Sequence, residues 1–311
     1  MRFYTNVQMV GNDILIRGYE NGEKYIAKEQ YSPTLYVKSK RDSGWKTLSG
    51  ENVEPIKPGT IRDCRDFYKK YDGIDGFQIF GNERYTYQYI SDKYPEDEIQ
   101  FDISKIDLIT LDIETQTEHG FPDPQECREE LLCISIQKAS TKEVITWGRK
   151  PFTVKKKNVT YFYHKEEVDM LNSFLNWWSQ NYPDVITGWN CRLFDIPYLC
   201  GRIERVCGNK RMRELSPWNI VTNEETWVAG RKFVVFDIAG LTTIDYLDLY
   251  KKFTFVNRES YRLDFIAEVE LGQKKLDHSE FDTFKDFYTG NWQKFVEYNI
   301  VDVELVDRLE D

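Results

Sequence analysis

Asp112 and Glu114 stand two residues apart in Leu111-Asp-Ile-Glu-Thr115, at the end of an apolar-rich run that begins at Ile106. On a strand successive side chains alternate faces, so both carboxylates point one way while Ile113 points into a core. Two like charges held side by side repel unless a cation lies between them. A divalent metal bound by carboxylate oxygens is the commonest reason to keep such a pair. Solvated strand faces are often acidic too, so the pair alone does not separate a metal site from an ordinary surface.

Two other segments carry matching chemistry. Thr187-Gly-Trp-Asn-Cys-Arg-Leu-Phe-Asp195 leads through a turn to a carboxylate at the start of a helix, where unpaired amides favour negative charge. A simple capping role for Asp195 fits the same residues. In Tyr298-Asn-Ile-Val-Asp302 a spacing of four puts a phenol and a carboxylate on one helix face, a turn apart. An exposed helix with scattered acids would read the same way.

Taken in order, Asp-Ile-Glu, then Asn-x-x-x-Phe-Asp, then Tyr-x-x-x-Asp resemble the three exonuclease motifs of family B DNA polymerases. Phe121-Pro-Asp-Pro124, Asp245-Tyr-Leu-Asp-Leu-Tyr-Lys-Lys-Phe253 and Ser260-Tyr-Arg-Leu-Asp264 extend the resemblance to the family's T-even-phage type, over essentially the whole chain. The resemblance implies a 3′-to-5′ proofreading exonuclease acting on single-stranded DNA or a frayed primer 3′ end. It also implies two Mg²⁺ or Mn²⁺ ions. Asp112, Glu114 and Asp302 would bind the first ion, Asp112 would bridge to the second, and Asp195 would hold the second directly or through water. Tyr298, with Glu114, would orient the attacking water; a phenol of pKa near 10 is a poor base at neutral pH, so its part is positioning.

The same resemblance sets Phe121 against the terminal bases and Asn190 and Phe194 near the strand, with core packing the alternative for Phe194. The Thr226–Phe236 segment resembles the family's strand-separating hairpin, with Gly230 at its tip. No polymerase palm motif is present, so the remaining polymerase domains are expected to be absent from this chain and DNA synthesis is not expected of it. Two other functions compete. One is a nucleic-acid-binding regulatory module that takes RNA through the N-terminal domain, which leaves the carboxylates unexplained. The other is a nuclease of the ribonuclease-H-like type that cuts internally.

These groups need a scaffold. The chain has 311 residues, 41% of them hydrophobic, enough for two domains with separate cores. Residues 1–102 read as a smaller strand-rich domain. It has an Asn-Gly hairpin (14–19 with 24–27), strands at 35–38, 77–80 and 85–90, and a helix that opens at Thr60 with Ile61, Cys64, Phe67, Tyr68 and Tyr71 on one face. The polar stretch 91–98 is the boundary. From 103 to 311 the pattern gives strands at 105–113, 131–137 and 143–147, a helix at 165–180, a strand at Asp184–Thr187 and a helix from Asp195 to Val206. A hairpin then turns at Ala229-Gly230, and helices follow at 263–271, 281–288 and 292–309. Three strands, helix, strand, helix is the order of a ribonuclease-H-like domain, though periodicity leaves other α/β arrangements open. The fold class is therefore α/β (α+β), a central mixed sheet flanked by helices with a strand-rich N-terminal domain.

The totals set the remaining bounds. A net charge of −10 argues against nonspecific duplex binding, which needs local positive potential. Twenty tyrosines and 19 phenylalanines supply ring faces for unpaired bases, although most such rings fill cores. The six cysteines form no Cys-x-x-Cys pair and the three histidines lie far apart, so neither zinc nor a disulfide framework is indicated. No apolar run reaches the roughly 18 residues of a membrane span and no secretory signal opens the chain, so a cytoplasmic protein is expected, in the host cell if phage-encoded.

Overall fold

The computed structural model describes residues 2–95 and 98–310; Met1, Glu96, Asp97 and Asp311 lie outside it, two of them within the predicted boundary at 91–98. The chain divides into two units, Met1–Lys105 and Ile106–Asp311. In the first, β1 (Arg2–Val10), β2 (Asp13–Glu20) and β3 (Glu23–Gln30) form an antiparallel sheet. Asn21 and Gly22, at φ 53° and 86°, turn β2 into β3 as an Asn-Gly pair predicts. A second sheet has β4 (Leu35–Lys38), β5 (Trp45–Lys46), β6 (Asn52–Ile56) and β7 (Ile79–Phe80) in the order β5-β6-β4-β7. Helix α1 (Ile61–Tyr71) starts at Thr60, whose hydroxyl accepts from the Asp63 amide while the Asp63 carboxylate caps Thr60 in return.

The predicted strand at 85–90 is a helix, α2 (Tyr85–Lys93), which also takes in residues 91–93 of the predicted boundary. Alternating tyrosines read as β. Burial decides otherwise: Tyr85 and Tyr89, four apart, both sink into the core beside Ile14, Leu35 and Cys64.

The second unit is built on six strands. Strands β8 (Leu108–Thr115), β9 (Leu131–Lys138) and β10 (Val144–Gly148) run antiparallel. Then come β11 (Val159–Tyr163), parallel to β10, helix α3 (Glu167–Gln180) and β12 (Val185–Gly188), parallel to β8. Helices α4 (Asp195–Cys207) and α5 (Asn209–Arg213) lead to a hairpin of β13 (Val221–Val228) and β14 (Arg231–Ile238). Strand β15 (Thr242–Asp245) then joins β12 in parallel, giving the order β11-β10-β9-β8-β12-β15. Helices α6 (Tyr246–Phe253), α7 (Leu263–Leu271), α8 (Phe284–Gly290) and α9 (Trp292–Glu310) complete the unit.

This is a mixed sheet flanked by helices, of the ribonuclease-H-like kind, with strands β11 and β15 added to those expected. The helix expected at 281–288 begins instead at Phe284, because Thr283 and Asp286 form a capping box there. The β13–β14 hairpin turns where expected, with Ala229 and Gly230 at φ 48° and 76°.

Strand alternation divides the core in two. Ile109, Leu111 and Ile113 of β8, Ile134 and Ile136 of β9 and Trp147 of β10 pack with Phe174 and Leu175 of α3 and Leu199 of α4. The opposite face gives Cys133 and Val144 to Phe295, Val296, Ile300 and Val303 of α9. Thr110, Asp112 and Glu114 therefore lie on the α9 side. Among the described residues no helix is long and apolar enough to cross a membrane.

Candidate active site

Asp112 and Glu114 are half-buried on β8, separated by Ile113, which is 4% exposed and sits in the opposite core. Asp302 comes to them from α9. One ligand atom from each of the three carboxylates lies within 4.8 Å of the others. Asp302 is buried; one oxygen accepts from the Lys275 ammonium, while Oδ1 has no hydrogen-bond partner. An orphaned carboxylate oxygen in a low-dielectric site is costly, and an all-carboxylate donor set suits a hard divalent cation. The residues present fit such an ion.

Electrostatics carries the same message. Burial, then the charges of Asp195, Asp302 and Glu114, push the Asp112 carboxyl well above the usual carboxylate range. Burial and Asp302 push Glu114 up to about 8. Burial raises Asp302 as well, although Lys275 opposes it. For Lys275, burial favours the neutral amine, but Asp302, Tyr298 and Asp112 outweigh it and hold the ammonium charged. The lysine is thus the cluster's own counter-charge.

Asp195 is the first residue of α4 and stands outside the group of three ligand atoms. Its Oδ1 accepts from the Ile113 amide at 3.2 Å, which ties it to the strand between the two acids. Burial pushes it up to about 7, partly offset by that amide. Asp195 is not itself the N-cap, a position held by Phe194, but lies in the first turn of the helix. Tyr298 lies one turn before Asp302 and its oxygen accepts from Lys275 Nζ at 3.2 Å. Burial raises the phenol. Lysine can only donate, so the Tyr298 hydroxyl proton is left for another acceptor.

The turn into α4 depends on Asp245. Its carboxylate takes the amides of Asn190 (3.0 Å), Arg192 (2.9 Å) and Leu247 (3.0 Å), holding Asn190 in a left-handed conformation at φ 63°. Gly188 lets β12 close on β8 there: a Cβ would meet the Leu111 carbonyl oxygen at 2.6 Å. A cleft of about 1120 Å³ opens over the cluster. It is lined by Asp112, Glu114, Asp195, Tyr298 and Asp302 together with Phe121, Asn190 and Phe194. Eight of the nine residues picked from the sequence therefore share one cleft. Gly230 is not among them, although Phe233 of the same hairpin is.

Residues 81–266 match the model of the DNA polymerase family B exonuclease domain. The chain belongs to the family B DNA polymerases. It is 30% identical over 335 residues to the DNA-directed DNA polymerase of Enterobacteria phage T4, an alignment that covers 99% of this chain and 37% of that protein. To the DNA-directed DNA polymerase of Escherichia phage RB69 it is 28% identical over 339 residues, with the same coverage of 99% and 37%. A putative DNA polymerase of Frog virus 3 is 31% identical over 157 residues, 47% of this chain and 15% of that one. The chain thus spans little more than a third of the length of its phage relatives. Tyr298 and Asp302 lie beyond the family-model match but within the reach of the phage alignments.

In this family B exonuclease domain the cleft is lined by aromatic rings as well as by the acids. Phe121 is 87% exposed, and its ring centroid lies 5.7 Å from that of Phe194. Phe194 in turn stacks on buried Tyr198 at 5.8 Å and packs against the core. Phe194 is thus a core-packed ring with one side on the cleft. The loop that carries Phe121 is pinned at its root, where Glu129 accepts the amides of Glu118 (3.2 Å) and His119 (2.9 Å).

Sequence reasoning missed Lys275 and Asp245. Asp245 begins a segment noted for its resemblance, and an acid directly before an apolar helix was its available signal. Lys275 lies in an ordinary polar loop and carries no such signal.

Proposed function

We propose that this domain is a 3′-to-5′ exonuclease that removes 3′-terminal nucleotides from single-stranded or frayed DNA, the proofreading activity of a phage-type polymerase. Residues 103–311 form the exonuclease domain and 1–102 the N-terminal domain, working in the host cytoplasm with the other domains of a polymerase. The observation that carries this reading is the convergence of Asp112, Glu114 and Asp302 on the floor of a cleft whose wall offers the exposed ring of Phe121. Asp112, Glu114 and Asp302 would hold Mg²⁺ or Mn²⁺, with Asp195 contributing to a second ion. Two such ions, when bound, make a water nucleophilic at neutral pH and neutralise charge on the phosphate and the leaving oxygen.

The remaining work falls to the chain's own groups. Phe121, backed by Phe194, stacks the terminal base, and stacking tolerates any base, as proofreading requires. Tyr298 stays protonated and points its O–H as a hydrogen bond toward the attacking water, while Glu114 accepts a hydrogen bond from the same water on its other side. Asn190, held by Asp245, lines the path of the strand. The hairpin tip at Gly230 separates the strands.

An end-labelled single-stranded oligonucleotide tests the reading. Stepwise shortening from the 3′ end with Mg²⁺, stopped by EDTA, is the expected result; cleavage of circular single-stranded DNA would identify an endonuclease instead. Glu114→Gln is expected to bind the oligonucleotide in EDTA as the wild type does, yet to turn over on the order of 10²-fold more slowly, the scale of one lost proton-accepting group. Unchanged turnover would remove Glu114 from the water-orienting role.

A further inference from the structure

Asp112, Ser135 and Thr146 are register partners on β8, β9 and β10, so they form one row across the sheet on the face beneath α9. Helix α9 sets Asn299 onto that row. The Asn299 Nδ2 donates to Asp112 Oδ2 at 2.6 Å, and Ser135 Oγ donates to Asn299 Oδ1 at 2.5 Å. That uses the one serine proton, so the 2.8 Å contact between Ser135 and Thr146 must run from the threonine hydroxyl to the serine oxygen. Ser135, Thr146 and Asn299 are all completely buried.

We propose that Asn299 is a positioning residue for Asp112, held at its carbonyl end by the Ser135–Thr146 hydroxyl relay. The proposal rests on the reading of Asp112 as a metal ligand. The direct contact of the Asn299 amide with Asp112, and the buried hydroxyls that satisfy the other end of that amide, carry the argument. A flipped amide would set its carbonyl oxygen against the Asp112 carboxylate oxygen, acceptor against acceptor, so Asp112 fixes the amide with Nδ2 toward itself and Oδ1 toward the serine hydroxyl. Asn299 therefore holds Oδ2 as an acceptor and leaves Oδ1 as the oxygen it does not engage. Three buried polar side chains beside Cys133, Val144, Phe295 and Val296 cost desolvation that packing alone does not require. Partners of this kind, one shell out from the metal, orient a ligand and set its affinity.

The test is Mn²⁺ binding to the full chain without DNA, read by electron paramagnetic resonance. It compares the wild type, Asn299→Leu, Ser135→Ala and the double variant, with Asp112→Asn as reference and the thermal midpoint as the check on folding. Asn299→Leu is expected to weaken Mn²⁺ binding about ten- to a hundredfold. Ser135→Ala should weaken it less, and the double variant no more than Asn299→Leu, because the relay acts only through the amide. A merely structural role would instead lower the thermal midpoint with additive effects on affinity. Wild-type affinity in folded Asn299→Leu, alongside loss in Asp112→Asn, overturns the relay and leaves the metal site standing. Wild-type affinity in both overturns the metal reading and the relay with it. Should Asn299→Leu fail to fold, Asn299→Ser removes the same donor with less bulk and is held to the same outcomes.

Discussion

Alanine at both Asp112 and Glu114 is expected to lower the rate of nucleotide release about 10³- to 10⁴-fold, the several kcal/mol that metal ligation contributes to such a transition state. In EDTA at pH 8 the same variant should be more stable than the wild type. The sign follows from Glu114, whose ordinary value of 4.5 is pushed up to about 8 by burial and Asp302. A carboxylate raised in the folded state contributes stability that is complete below pH 4.5 and is lost as pH rises toward 8. The wild-type thermal midpoint in EDTA should therefore fall across that window, and the double variant should flatten the slope. Added Mg²⁺ should raise the midpoint of the wild type at pH 8 and leave the variant unmoved. Equal nuclease rates, or a pH slope unchanged by the substitutions, would show that the two carboxylates are an ordinary acidic face.

Lys275→Met should destabilise the metal-free protein by about 3–5 kcal/mol, the cost of breaking a buried ion pair from one side. The lysine side chain is 22% exposed and its partner Asp302 3% exposed, so the charge left behind has little access to water. With Lys275 gone, Asp302 Oδ2 joins Oδ1 in lacking a partner, and Tyr298 loses the donor at 3.2 Å. A divalent ion supplies the missing positive charge, so chemical denaturation in Mn²⁺ should recover much of the loss seen in EDTA. A loss under about 1 kcal/mol, the worth of an exposed pair, would refute the role of Lys275 as counter-charge.

Both predictions join residues whose visibility in the sequence differs. The Asp112–Glu114 pair is legible because a strand has a period of two, and the Tyr298–Asp302 pair because a helix brings residues four apart onto one face. The hairpin is legible from the Ala229-Gly230 turn, and α1 from Thr60 as its N-cap with the apolar face from Ile61 to Tyr71 behind it. Local chemistry also misled. Tyr85–Ile90 has the composition of a strand, yet it folds as a helix because Tyr85 and Tyr89 share one core-facing side. The short strands β11 and β15 escaped notice because they are defined by the strand each lies beside, β10 and β12.

The sequence by itself determined the acids, their pairing on a strand and a late helix, and the family whose motifs they compose. Tertiary structure decided which of them meet. It drew Asp112, Glu114 and Asp302 into one group and hung Asp195 from the Ile113 amide instead. It also turned a lysine from a polar loop into the cluster's counter-charge and laid Asn299 across a row of strand partners. The reason is physical: periodicity sets the direction of a side chain relative to its own backbone, whereas desolvation and the company of other charges exist only once separate elements pack together.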